Sequence, residues 1–136
     1  MIVQTVTTSF KNDILAGLQD LNTDVLYIAL YNNLADLGPQ TLAYSSDFEV
    51  TSPGYAPGGQ QCQNVTVTTY ESTVYISFDN VSWSNVAFTC RGALIYNQTK
   101  GNKSIAVLNF GSDKTCTSTF TITLPANTAD SALIRV

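Results

Sequence analysis

WSNVAFTCRGALIYN (residues 83–97), SIAVLNFG (104–111) and TFTITL (119–124) are three strand-like runs, and their reading decides the fold. Side chains alternate along a strand, so Val86, Phe88 and Cys90 share one face of the first run. Gly92 interrupts that run, which predicts a bulge or a close backbone approach before Ala93–Tyr96 continues it. Residues 97–103 hold Gly101 and almost nothing apolar, the composition of a hairpin loop. Ser104 to Phe110 returns as a nearly continuous apolar strand of the kind covered on both faces. Phe120, Ile122 and Leu124 alternate with Thr119, Thr121 and Thr123, a half-buried strand. If each run pairs with the next, the result is an antiparallel meander at the centre of one sheet. Phe88, Ile95, Val107, Leu108 and Ile122 would then share one core, with Trp83 at its margin.

Working outward, residues 1–8 read as a polar and β-branched N-terminal arm. Ser9 is a suitable N-cap for a short helix whose apolar stripe is Phe10, Ile14, Leu18 and Leu21, weakened by Gly17 and ended by residues 22–24. Val25–Tyr31 is a strong strand. Residues 32–61 form a long irregular stretch containing Pro39, Pro53 and Pro57, with brief extended runs at 41–44 and 48–50. Val65–Thr69 and Thr73–Phe78 are two more strands, the second with Val74, Ile76 and Phe78 facing inward. Leu133–Val136 is suited to a last edge strand. Six or seven strands and one short N-terminal helix predict a mainly β chain, an antiparallel β-sandwich or jelly-roll-like domain spanning residues 1–136.

A chain of 136 residues is long enough to bury a real core. Only 12% of its residues are charged, against roughly 25% in ordinary soluble domains. Thr, Ser, Asn and Gln take the polar positions, as suits a pleated surface or one that docks on other protein with little charge to desolvate. The net charge is −4 and no basic run occurs, which argues against nucleic-acid binding. No apolar run approaches the ~18 residues of a membrane span. The N-terminus lacks the basic segment and apolar core of a signal peptide, so the expected setting is a cytoplasm, or release inside an assembled particle.

The chain has no histidine, which removes Ser-His-Asp and Cys-His nucleophile systems, so no catalytic residue is assigned. Cys62, Cys90 and Cys116 are far apart and lack the partners of a structural zinc site. Free buried thiols are expected in a cytoplasm, whereas maturation outside the cell would allow a Cys90–Cys116 bridge. Asp36, Asp47 and Glu49 are the acids closest to a paired-carboxylate or calcium arrangement, but without regular ligand spacing. No metal and no cofactor is predicted. Asn64, Asn80, Asn97 and Asn102 begin Asn-x-Ser/Thr triplets, read here as a by-product of composition.

Two segments stand out as contact candidates. The arm offers Ile2, Val3 and Val6 between threonines, which suits strand addition to a sheet edge. The long loop offers Tyr44, Phe48 and Tyr55 beside stiffening prolines. The alternative is that both segments fold back and cover the domain's own edges.

One resemblance covers most of residues 9–125. A helix ending near Leu21 is followed by Asp24–Leu30, then by Glu49 with Gly54, Tyr55, Gly58 and Gly59. Trp83, Arg91–Tyr96, Ala106–Gly111 and Thr119–Ile122 complete the pattern. Together these resemble small virion structural proteins of tailed bacteriophages; the three cysteines depart from that group. The resemblance implies a non-enzymatic particle component, a capsid decoration or cement protein that contacts the major capsid protein or other virion proteins. It would act as a homo-oligomer (dimer or trimer) on a virion assembled in the host cytoplasm. A tail, collar or fibre component with a receptor-binding role is the alternative, and a stand-alone glycan-binding β-domain is a third.

Overall fold

The structure, a computed structural model, describes residues 1–135. It is mainly β, with antiparallel sheets and one short helix. The elements are β1 (Thr5–Val6), α1 (Thr8–Leu15), β2 (Leu26–Tyr31), β3 (Gln60–Gln61), β4 (Thr66–Tyr70), β5 (Thr73–Ser77), β6 (Val81–Ser84), β7 (Phe88–Asn97), β8 (Lys103–Cys116), β9 (Thr119–Ile122) and β10 (Ile134–Arg135). Val136, expected in the last strand, lies outside the described residues. A five-stranded sheet runs β1-β8-β7-β2-β3, a three-stranded sheet runs β10-β5-β4, and β6 pairs with β9.

The expected meander is corrected by this topology. Thr119–Ile122 does not pair with Ser104–Phe110; it follows β8 and pairs with the segment carrying Trp83, in the register Trp83 to Phe120. Phe88 faces Cys116 and Ser84 faces Thr119, while the Val86 N–H donates to the Ser118 carbonyl across the gap. Residues 81–97 and 103–122 are therefore the two legs of one long hairpin. Its corner lies at Asn85, with φ +56°. Alternation in a sequence reports which face of a strand is buried, but not which strand is its neighbour. Gly92 behaves as expected. A register shift separates Cys90 from Gly92, and a Cβ at Gly92 would stand 2.4 Å from the Leu108 carbonyl oxygen.

The period of two distributes β2 between two cores. Leu26, Ile28 and Leu30 join Phe88, Ile95, Leu108, Ile122 and Trp83 on one side of the large sheet. The three-stranded sheet and the helix bring Ile76, Phe78, Ile134 and Phe10 to that same core. Ala29 and Tyr31 join Leu94, Tyr96, Val107, Ile2 and Leu37 on the other side. Val107 thus belongs to the second core rather than the first, because its neighbours Ala106 and Leu108 face the opposite way. Trp83 is not marginal either: it is 1% exposed, with its ring 6.0 Å from Tyr55 and 6.2 Å from Phe120.

The helix is shorter than its apolar stripe. Thr7, not Ser9, is the N-cap, accepting from the Phe10 N–H at 3.3 Å. Gly17 takes φ +71° just past the C-cap Ala16, and the Leu18 N–H closes onto the Asp13 carbonyl at 2.8 Å. Leu18 is half exposed as a result, while Leu21 is buried from a turn. Ile76 in β5 and Phe78 just after it are buried as expected, but Val74 is 37% exposed near the hairpin end.

Candidate functional site

The segment from Asn32 to Gly59 packs Ala35, Leu37 and Tyr44 on the second core and Val50 and Tyr55 on the first, and it is held down by a carboxylate that no salt bridge reaches among the described residues. Glu49 is only 9% exposed. Its Oε1 accepts from the Tyr44 hydroxyl at 2.7 Å, and its Oε2 accepts from the Tyr55 hydroxyl at 2.6 Å and the Gly58 N–H at 2.9 Å. Charge-assisted bonds of this kind are about twice as strong as neutral ones, so dipoles alone can stabilise the buried charge. The Tyr55 oxygen also accepts from the Leu30 N–H at 2.9 Å, tying the loop to β2. The Tyr96 and Tyr31 hydroxyls donate at 2.6 Å to the carbonyls of Gly58 and Ser45. Tyr44 stacks on Tyr96 at 4.8 Å and Tyr96 on Tyr27 at 5.9 Å, completing an aromatic layer beneath the loop.

Burial, with the Glu49 charge nearby, makes these hydroxyls hard to ionise. Tyr31, Tyr44 and Tyr55 are pushed well above the ordinary tyrosine value and Tyr96 up to about 12. A raised folded-state value favours the protonated form. The stability it brings is whole below the unfolded value of about 10 and is lost as pH rises through the folded values. The expected result is a cooperative alkaline transition, in which the last rise of tyrosinate absorbance coincides with loss of the sheet circular dichroism. A complete tyrosinate titration with the sheet signal intact would contradict it.

A second buried polar cluster joins the helix turn to the end of β7. Asn97, fully buried, donates to Gln19 at 3.0 Å and to Asp24 at 2.8 Å, and Gln19 donates to Asp13 at 3.0 Å. Lys100 and Lys103 approach Asp24 and Asp13 at 3.7 and 3.8 Å. Burial opposes ionisation of Asp24, but the bonds from Asn97 and the Asp20 N–H, together with Lys100, hold its carboxyl below the usual range. Asn97 shows that at least one of the four Asn-x-Ser/Thr triplets has its amide consumed inside the fold. Asp36, Asp47 and Glu49 do not converge: Asp47 is exposed, and Asp36 stands at the surface beside the N-terminal amine at 3.7 Å. Among the described residues no three His, Cys, Asp or Glu side chains form a metal-binding group. Cys62, Cys90 and Cys116 are buried free thiols, and burial pushes Cys62 and Cys90 up to about 12.

The contact candidates separate in space. Ile2 is 6% exposed and sits in the second core, bridged to Leu37. Val6 pairs with Ala106 in β8 and packs on the first core, and Tyr55 is 6% exposed. Tyr44 is partly buried in the tyrosine layer. The arm therefore folds back as a short strand of its own sheet, the alternative arrangement, which leaves Ile2 and Tyr55 buried and Val6 half-buried. A free β-branched arm and an unpaired edge on its own sheet satisfy one another locally. Val3 and Phe48 do face outward, at 41% and 51% exposure, and the same loop adds Leu34 and Leu42. Phe48 holds φ +62°, a left-handed conformation costly for a bulky residue, because the inward fixing of Glu49 turns its neighbour out. Sequence reading missed Leu34 and Leu42, since nothing in the irregular loop distinguishes a buried leucine from an exposed one.

An apolar cleft of about 440 Å³ also opens between α1 and the three-stranded sheet, lined by Phe10, Ile14, Val67, Val74, Ile76 and Ile134 among others. No helix among the described residues is long and apolar enough to cross a membrane. No protein-family model, curated protein or solved structure matches this chain.

Proposed function

We propose that this chain is a non-enzymatic structural protein of a tailed-phage virion, a decoration or cement protein seated on the major capsid protein of the head. The observation that carries the reading is the use made of the buried polar groups. Both oxygens of Glu49 accept bonds from the loop itself, and Asp13, Asp24, Gln19 and Asn97 bond to one another and to neighbouring lysines. The first set ties down the long segment and the second ties the helix turn to the end of β7, so both are spent on the fold instead of facing a substrate. The exposed apolar side chains Val3, Leu34, Leu42 and Phe48 then stand on a stiff support, which lowers the entropy lost on docking. The low charge of the chain and the resemblance of residues 9–125 to virion structural proteins point the same way.

The test is the copy number of the chain in purified particles of the phage that encodes it, by quantitative mass spectrometry. Hundreds of copies are expected for a decoration protein. About three to twelve would place it in the tail or collar, as closed ring symmetry dictates, and absence from particles overturns the virion reading. Phe48→Ser and Leu42→Ser are expected to abolish rebinding to depleted particles while leaving the unfolding midpoint unchanged.

A further inference from the structure

Strand β4 is the longest uninterrupted open edge among the described residues. β1, β3 and β10 are two-residue strands. β6 is covered where the Gln60 side chain donates to the Ser82 carbonyl and Gly54 lies against Ser84 and Asn85. β8 beyond β1 carries Asp113, Lys114 and a left-handed Gly111, features that blunt an edge. β4, with the sequence Thr-Val-Thr-Thr-Tyr at 66–70, has no charge, no proline and no bulge, and among the described residues its sheet neighbour is β5 alone.

We infer that β4 is a self-association edge, pairing antiparallel with β4 of a second copy about a two-fold axis at Thr68. The register follows from the β4–β5 turn. Tyr70 pairs with Thr73 across the two residues Glu71 and Ser72. In a two-residue hairpin the flanking pair is hydrogen-bonded and bonded pairs alternate thereafter. The N–H and C=O groups of Thr66, Thr68 and Tyr70 therefore point to β5, and those of Val67 and Thr69 point away. Antiparallel pairing centred on Thr68 sets Val67 of each copy opposite Thr69 of the other. The outward donors and acceptors meet reciprocally, which is the self-complementarity an isologous contact requires.

The side chains agree with a second copy as the occupant. Thr66, Thr68, Tyr70, Thr73, Tyr75 and Ser77 share the other face of this hairpin from Ile76, and each carries a hydroxyl and none a charge. Little charge is desolvated when the face is continued across the axis, and threonines meet at its centre. Glu71 is the nearest acid, and it lies three residues from the axis in each copy. The two Glu71 groups stand about 20 Å apart at ~3.4 Å per residue, beyond the ~8 Å screening length at physiological salt. A single five-residue edge makes a small interface, so the association is weak and rises with concentration. It is a property of the isolated chain and does not depend on the virion assignment.

Sedimentation velocity of the full chain over a wide concentration range tests it. A reversible dimer is expected, with concentration-dependent protection of the Val67 and Thr69 amides from hydrogen exchange. Thr69→Pro removes an outward N–H while leaving the bonds to β5, and should weaken the dimer about tenfold or more. Thr68→Lys and Thr68→Glu should each be monomeric at concentrations where the parent dimerises, and an equimolar mixture of the two should dimerise again. Circular dichroism of each variant establishes that it is folded. A parent chain that is monomeric throughout overturns the inference. So does a dimer indifferent to Thr69→Pro, or one that the Lys and Glu variants do not restore on mixing.

Discussion

Gly59→Ala is expected to lower the stability of this chain by about 2–5 kcal/mol, the sum of ~1–2 for a left-handed backbone and ~1–3 for overpacking. Gly59 holds φ +84°, and a Cβ there would stand 1.8 Å from the Ile28 carbonyl oxygen and 2.8 Å from the Ala29 Cα. Neither contact can yield, because both atoms belong to the backbone of β2, an interior strand of the large sheet paired on both sides. Relief requires the loop to lift, which pulls Gly58 from Glu49 and the Gln60–Gln61 strand from β2. Gly17, just past the end of α1, is a control of the same chemistry: it has φ +71° and open space around its Cβ position. Gly17→Ala is therefore expected to cost only the backbone part, about 1–2 kcal/mol. Urea unfolding of both variants checks the difference, and equal effects would mean that the close approach to Ile28 does not matter.

Glu49→Ala is expected to cost about 3–5 kcal/mol, because it leaves two tyrosine hydroxyls and one backbone N–H without an acceptor in a water-poor layer. The variant should also free the loop. Amide exchange is expected to rise across residues 44–58 while residues 93–96 and 105–108, at the sheet centre, stay protected in the folded fraction. Glu49→Gln keeps one oxygen acceptor and the volume, so its cost should be smaller. If Ala and Gln behave alike, the acceptor pair is not what fixes the loop. Tyr55→Phe removes one of the three bonds to Glu49 and also leaves the Leu30 N–H without its acceptor, the Tyr55 oxygen.

Strand positions and buried faces were legible in the sequence wherever the pattern was strong. Leu26, Ile28 and Leu30 alternate with Tyr27, Ala29 and Tyr31, and the structure sends the two sets to opposite cores. The β4–β5 hairpin, the Gly92 irregularity and the loop at Gly101 were equally readable, because each depends on side chains or glycines within a few residues. The helix length was misread because a stripe continuing to Leu21 outlasts a helix that Gly17 has already ended.

What only the tertiary structure decided is pairing at a distance. That residues 119–122 return to Trp83 depends on the corner at Asn85 and on the loop seated over it, with Gly54 packed on the Ser84 and Asn85 carbonyls. The burial of Tyr55 and Ile2 was undecidable from composition, since an apolar residue beside an open edge suits either a partner or its own domain. Glu49 is the clearest case. A lone acid between Phe48 and Val50 carries no local sign of burial, and only three donors from Tyr44, Tyr55 and Gly58 converging in space make its charge tolerable. Local propensity acts over one element, whereas desolvation of a charge is decided by every group that surrounds it.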